Sequence, residues 1–235
     1  MKVSRCPGGK VPRSYGKPGG PVQLLAIMAL ACCAIVAATL TAMAAERPVR
    51  IVMLGDSIAA GFGLPVAEAL PAKLEKALKA KGLNVRVENA GVSGDTPAGG
   101  LARLDWSVAE GTDAVIVELG ANDALRGADP KQTRAALDAI IGKLKERKIA
   151  VLLAGMLAPR NFGPEYVAAF DAIYPELAAA HGVLLYPFLL DGVAGEAALN
   201  QGDGIHPNAA GVDAIVEGML PKAAELVFQV KAGKS

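Results

Sequence analysis

The chain has 235 residues, 52% hydrophobic and 20% charged, and 24 basic against 23 acidic side chains leave a net charge of +1. That balance excludes a disordered polyelectrolyte and offers no basic excess for a nucleic-acid surface. With two histidines and three cysteines in all, a zinc centre of the usual ligand types would consume nearly every one, so no metal is expected.

The first 44 residues stand apart from the rest. They carry Lys2, Arg5, Lys10, Arg13 and Lys17, no acidic residue, and all three cysteines (Cys6, Cys32 and Cys33). An apolar run from Leu24 to Leu40 follows the basic stretch and ends on Thr41-Ala42-Met43-Ala44. Basic segment, apolar segment and a small-x-small end make a secretory signal peptide, with cleavage expected after Ala44. Two rivals use the same residues. An apolar run of about 20 residues could remain as an anchor. Leu30-Ala31-Cys32-Cys33 bears some likeness to a lipidation site, although the residues before either cysteine depart from that pattern. Cleavage would leave residues 45–235 as a single exported domain, periplasmic or secreted, with 19 basic and 23 acidic residues and no cysteine. It would hold no disulfide and no membrane anchor, and a monomer is expected.

From residue 48 onward, short apolar runs alternate with helical periodicity. Arg50 to Leu54 reads as a buried strand ended by Gly55-Asp56-Ser57. Pro71 to Lys81 reads as a helix with proline in its first turn, Leu74, Ala77 and Leu78 on one face, and Gly82 as its stop. Leu83 to Asn89 and Ala114 to Leu119 are further strands. Asp129, followed by Pro130 and Gln132, has the spacing of a capping box ahead of a helix that uses Leu137, Ile140, Ile141 and Leu144. Ile149 to Ala154 is a strand, a helix spans about residues 164–181, Val183 to Tyr186 is the fifth strand, and a last helix follows Asn208. This alternation predicts an α/β fold with a parallel sheet covered on both faces, and in such folds sites form at the carboxyl ends of the strands.

The residues at those ends carry chemistry. Gly55-Asp56-Ser57 follows the first strand, Ser93-Gly94-Asp95-Thr96 the second, and Gly120-Ala121-Asn122-Asp123 the third, while Asp203-Gly204-Ile205-His206 precedes the last helix. A serine hydroxyl is a weak nucleophile until a neutral imidazole takes its proton, and a carboxylate fixes the imidazole in the required tautomer. Asp203 and His206, three residues apart, can be presented by one turn. An oxyanion then needs donors, for which Ser57, Gly94 and Asn122 are placed at strand ends.

In this order, the four segments resemble the four blocks of the SGNH (GDSL) hydrolases: Gly-Asp-Ser with Ser57, the glycine block with Gly94, Gly-x-Asn-Asp with Asn122, and Asp-x-x-His with Asp203 and His206. Within that family the sequence looks most like the secreted bacterial thioesterase, lysophospholipase and arylesterase group. The resemblance implies a three-layer, flavodoxin-like fold with a parallel five-stranded sheet. It implies Ser57 as nucleophile, His206 as base, Asp203 as its orienter, and an oxyanion hole from the Ser57 and Gly94 N–H groups and the Asn122 amide. It also implies hydrolysis of small acyl esters or thioesters without a cofactor. Ile58 stands where the family usually has Leu, a volume-conserving change. The segment from Met156 to Tyr166 would help shape an acyl pocket, with Met156, Leu157 and Phe162 as the expected contacts.

Each residue also has a plainer reading. Ser57 could simply cap a helix, Asp56 could fix the loop, and Asn122 could be a turn residue bonding nearby backbone. Ser93 is the rival nucleophile but lacks a strand-to-helix turn. His181 ends a helix, where it opposes the dipole, so His206 is the base candidate. Asp95 and Asp123 lack the grouping of metal ligands. No Gly-x-Ser-x-Gly elbow is present, which disfavours an ordinary α/β-hydrolase. Two other functions share these residues: a carbohydrate O-deacetylase, which the four blocks also support, and a non-catalytic exported binding domain, which would have no need of a serine, histidine and aspartate together.

Overall fold

A computed structural model describes residues 47–233. The proposed signal segment, its cysteines and the Ala44 cleavage point lie outside the described residues. Five strands, β1 (Val49–Gly55), β2 (Val85–Gly91), β3 (Ala114–Glu118), β4 (Ala150–Ala154) and β5 (Leu184–Tyr186), form one sheet in the order β2-β1-β3-β4-β5. Every pairing is parallel. The helices are α1 (Ser57–Ala60), α2 (Leu70–Ala80), α3 (Pro97–Ala102), α4 (Leu104–Ser107), α5 (Ala121–Arg126), α6 (Pro130–Glu146), α7 (Pro164–Asp171), α8 (Ile173–His181) and α9 (Ala209–Lys231).

The central strands β1, β3 and β4 are apolar almost throughout and buried on both faces, as a parallel sheet between two helical layers requires. The edge strand β2 alternates instead, with Val85 and Val87 inward and Arg86 outward. Helices α2 and α9 pack against each other over one face, while α3, α6 and α8 cover the other. Leu70, Leu74 and Leu78 recur every four residues along the buried side of α2. The result is the three-layer α/β fold expected from the sequence. Its order places a topological switch between β1 and β3, where the chain leaves the two strands in opposite directions and a crevice opens.

Local differences from the sequence reading have local causes. The helix expected over about residues 164–181 is two helices, α7 and α8, with Ala172 between them. Pro175 has no N–H for the Asp171 carbonyl, so the helical ladder cannot run unbroken through this point. Asp129 does cap α6, but its carboxylate accepts from the Lys131 N–H at 3.0 Å rather than from the residue at the capping-box position. Short helices α1, α3, α4 and α5 were not resolved from periodicity, because four to six residues do not complete an apolar repeat. Among the described residues no helix is long and apolar enough to cross a membrane.

The sheet holds α1 close behind β1 and β2. A Cβ on Gly91 would lie 2.2 Å from the Ala60 nitrogen and 2.7 Å from the Ala59 carbonyl carbon, and backbone atoms cannot rotate aside. Gly91→Ala should therefore destabilise the fold by about 1–3 kcal/mol, the usual cost of overpacking. Urea denaturation should show a lower midpoint with an unchanged slope.

Candidate active site

Ser57 is placed by the sharp exit of the chain from β1. A Cβ at Gly55 would meet Glu118 Oε2 at 2.3 Å, so the turn can approach β3 only with glycine there. Asp56 is the N-cap of α1, and its Oδ1 accepts from the Ile58 N–H at 3.0 Å. Ser57 is thus not the cap. Its hydroxyl is left for other work, and its N–H, in the first turn, has no intrahelical acceptor. Glu118 Oε2 accepts from the N–H groups of Asp56 (3.1 Å) and Ala59 (3.3 Å), gripping the turn on both sides of Ser57.

His206 reaches Ser57 from the loop ahead of α9. Ser57 Oγ and His206 Nε2 are 2.9 Å apart, and His206 Nδ1 is 2.6 Å from Asp203 Oδ2. With a carboxylate on Nδ1, the neutral ring carries its proton there and turns Nε2 to the serine as an acceptor. Asp203 also closes its own turn, its Oδ1 accepting from the N–H groups of Ile205 and His206, each at 3.0 Å. The loop is braced by Gln201, which donates to the carbonyls of Phe62 (2.7 Å) and Pro207 (3.0 Å), and Phe62 tilts against the imidazole with centroids 4.5 Å apart. Asn208 then caps α9 through the Ala210 and Gly211 amides.

Gly94 and Asn122 come from the loops after β2 and β3. Gly94 has φ +81°, which lets the loop turn back without a Cβ penalty. The loop is fixed by Arg103, which pairs with Asp95 at 2.8 Å and donates to the carbonyls of Ala90 (2.8 Å) and Gly55 (3.0 Å). Both partners of this ion pair are largely buried, so removing either would leave an uncompensated charge at a cost of about 3–5 kcal/mol. Asn122 Nδ2 donates to the Asp95 carbonyl at 3.0 Å and to Asp56 Oδ2 at 3.2 Å, while its Oδ1 accepts from Arg126 at 3.3 Å. Neighbouring Asp123 is turned inward, where its Oδ1 accepts from the Thr133 hydroxyl at 2.9 Å.

Asp56, Ser57, Asn122 and His206 open on one cavity of about 440 Å³, whose lining does not include Gly94 or Asp203. Leu125, Met156, Leu157, Phe188, Leu190 and Ile205 supply apolar walls. Of the three expected acyl-pocket contacts, Met156 and Leu157 line this cavity. Phe162 is not part of the lining: it lies beside Gly127 and packs on Tyr166, with ring centroids 5.2 Å apart. Phe162 ends the 3₁₀ turn Arg160–Phe162, of which only Arg160 is in the lining. Phe188 and Leu190 were missed. The signal was present, since they follow the fifth strand, where the strand-end rule applies, but that strand's exit had no polar residue to draw the eye. Glu118 and Arg103 were missed for another reason. Nothing about a lone charged residue announces that it will be buried.

The rival residues lie elsewhere. Ser93 is exposed on the loop after β2 and outside the cavity lining. His181 ends α8 and pairs with Asp138 at 2.5 Å. Among the described residues, no group of three or more His, Cys, Asp or Glu is placed to hold a metal ion.

A hydrogen-bonded serine, histidine and aspartate at the switch point of a doubly wound sheet, opening on an apolar cavity, define a site of the hydrolytic-enzyme class. Residues 53–214 match the model of the GDSL-like lipase/acylhydrolase family, and the chain belongs to that family. It is 42% identical over 197 residues to the esterase TesA of Pseudomonas aeruginosa, a match covering 83% of this chain and 96% of that protein. To thioesterase 1/protease 1/lysophospholipase L1 of Escherichia coli it is 38% identical over 194 residues, covering 82% and 90%. The crystal structure of TesA aligns with a TM-score of 0.72 at 41% identity, covering 75% of this chain and 99% of that one. The family resemblance drawn from the four sequence blocks is borne out, and the protein is an enzyme of the ester-hydrolase class.

The hydrogen bonds on Asp203 have a measurable consequence. The His206 N–H, then the His206 ring and the Ile205 N–H, lower its pKa from 3.8 to about 2. A carboxyl depressed in the folded state contributes its stability fully above the unfolded pKa and loses it as pH falls through the folded one. Carbon-detected NMR should find Asp203 still ionised at pH 4, with its titration near pH 2. An ordinary midpoint near 3.8 would mean that the turn does not hold in solution.

Proposed function

We propose that this protein is an exported serine hydrolase that cleaves carboxylic esters and thioesters of acyl chains through an acyl-enzyme. The observation that carries the reading is the Ser57–His206–Asp203 series, with spacings of 2.9 and 2.6 Å, at the polar end of an apolar cavity. His206 takes the proton from Ser57 Oγ as the hydroxyl attacks the acyl carbonyl, and then delivers it to the departing alcohol or thiol. Water, deprotonated by the same imidazole, releases the acid. Asp203 holds the ring and offsets the charge of the imidazolium. It is ionised throughout the neutral range, so an acid limb in kcat/KM above pH 4 does not report the protonation of Asp203.

The oxyanion is received by the N–H groups of Ser57 and Gly94 and by Asn122. The bonds from Asn122 to the Asp95 carbonyl at 3.0 Å and to Asp56 at 3.2 Å fix the amide plane, and the hydrogen facing Asp56 is shared with the oxyanion as it forms. A donor so aimed is worth about 3–4 kcal/mol in the transition state. The apolar walls favour an acyl chain over the acetyl ester of a carbohydrate, which would need polar contacts to the sugar. Esterase TesA and the thioesterase/lysophospholipase relative point to the same substrate class. Residues 45–235 act as one mature, monomeric domain, and residues 1–44 direct export and are removed after Ala44. The basic and apolar segments described above support that part of the reading.

Ser57→Ala should abolish turnover of p-nitrophenyl butyrate and labelling by a fluorophosphonate, whereas Ser93→Ala should leave both intact. Normal labelling of Ser57→Ala protein would overturn the assignment.

Chain-length preference should follow the cavity walls. Each methylene buried against them contributes about 0.8 kcal/mol. Phe188→Ala should therefore shift the ratio of kcat/KM for twelve-carbon over four-carbon esters by several-fold. Phe162→Ala, outside the lining, should leave that ratio unchanged. A shift with Phe162 alone would place the acyl chain on the other side of residue 160.

A further inference from the structure

Glu118 is the most unusual residue of the sheet. It closes the central strand β3 and has 0% exposure, while the mechanism above gives it no chemistry. One oxygen, Oε2, accepts both turn amides, and the other, Oε1, is buried without a hydrogen-bond partner among the described residues. Beside it is a second buried carboxyl, Asp56, at 1% exposure. Glu118 is fully buried beside Asp56, and each carboxylate disfavours the charge of the other, so the pair favours keeping one proton.

The surroundings decide which of the two holds it. Each Asp56 oxygen receives a donor, Ile58 N–H on Oδ1 and Asn122 Nδ2 on Oδ2, and the His206 imidazole also favours its charge. Glu118 receives two N–H groups on a single oxygen and nothing on the other. Burial first and Asp56 second hold Glu118 well above the usual carboxylate range. Burial raises Asp56 too, with Asp95 adding to the rise, but its donors and His206 oppose it. The buried Tyr174 phenol, which donates to the Leu119 carbonyl at 2.9 Å, is itself held well above its ordinary value and stays neutral.

We propose that Glu118 is a protonated positioning residue: its Oε2 clamps the turn that presents Ser57, and by keeping its proton it leaves Asp56 the single negative charge that orients Asn122. One neutral acid thereby links the nucleophile to the side-chain donor of the oxyanion hole. An ionised Glu118 would instead repel the Asp56 carboxylate and draw it off the Asn122 amide. The inference rests on the serine-hydrolase reading given above, with Ser57 as the attacking group.

Glutamine is the discriminating substitution, since it keeps a carbonyl oxygen for the two amides and supplies an N–H toward Asp56 without a charge. Glu118→Ala should lower kcat and the rate of fluorophosphonate labelling by about ten- to a hundredfold, with KM little changed. Glu118→Gln should restore both to within about threefold of the parent. Independently of activity, infrared difference spectra at pH 7 should show a carboxylic acid carbonyl band that is lost in Glu118→Gln. If Glu118→Ala does not fold, the glutamine variant and the spectrum still decide. Absence of the band, or a glutamine variant as impaired as a hundredfold loss, would overturn the proposal while Ser57→Ala remains inactive. Retained turnover in Ser57→Ala would instead reject the nucleophile assignment on which the inference stands.

Discussion

Everything at this site depends on how the chain leaves β1 beside the end of β3. Gly55 and Glu118 are register partners, and the 2.3 Å that would separate a Gly55 Cβ from Glu118 Oε2 leaves no room for any other residue. The contact lets a carboxyl of the third strand accept amides from the turn after the first. Without it, the amides of Asp56 and Ala59 would be buried and unpaired, each at a cost of about 1–3 kcal/mol. The switch point of the sheet therefore does more than open a crevice. It places the side chain of one strand where the backbone of the other needs an acceptor, and the position of Ser57 follows from that.

Three carboxyl groups surround the nucleophile, and they are tuned in opposite directions by ordinary means. Asp203 is solvent-exposed and gathers two backbone donors and the imidazole, which draws it to a pKa of about 2. Asp56 and Glu118 are buried, and burial raises both. The division suits the chemistry. In the proposed mechanism Asp203, which would stabilise the transient imidazolium, keeps its charge across the neutral range, while burial works against charge on the pair beneath the turn. A second full charge under Ser57 would oppose the oxyanion of the proposed mechanism.

The sequence revealed the parts of this arrangement that depend on local pattern. Short apolar or alternating runs marked the strands, and glycine-punctuated segments near their ends marked Ser57, Gly94, Asn122, Asp203 and His206 as candidates. What stayed hidden depends on contacts between segments distant in the chain. Glu118 and Arg103 are each a single charged residue in an otherwise unremarkable stretch, and only the register of β1 with β2 and β3 makes one a clamp and the other a tie between loops. The break between α7 and α8 was within reach, because Pro175 is visible in the sequence. The apolar periodicity on either side of it read as one helix and outweighed the missing donor. Phe162 follows cavity-lining residues in sequence, but its ring packs on Tyr166 and is not part of the lining.

Reaction and selection are built from different strands. The polar groups come from the exits of β1, β2 and β3 and from the loop before α9. The apolar walls come largely from the exits of β4 and β5. Those two exits are bound to each other, with Gly155 N–H donating to the Tyr186 carbonyl at 2.8 Å and Leu189 N–H to the Gly155 carbonyl at 2.8 Å. A Cβ on Gly155 would lie 2.1 Å from the Pro187 oxygen, so this junction too is closed around a glycine. Beyond it, Asp171 holds the Ala158 N–H at 2.9 Å and the Arg160 guanidinium at 2.5 Å, anchoring the wall to the foot of α7. None of these bonds is shared with the turn that carries Ser57. Side chains of the wall can therefore change without disturbing the hydrogen bonds that hold Ser57, because two separate glycine-sealed junctions on one sheet carry the two parts.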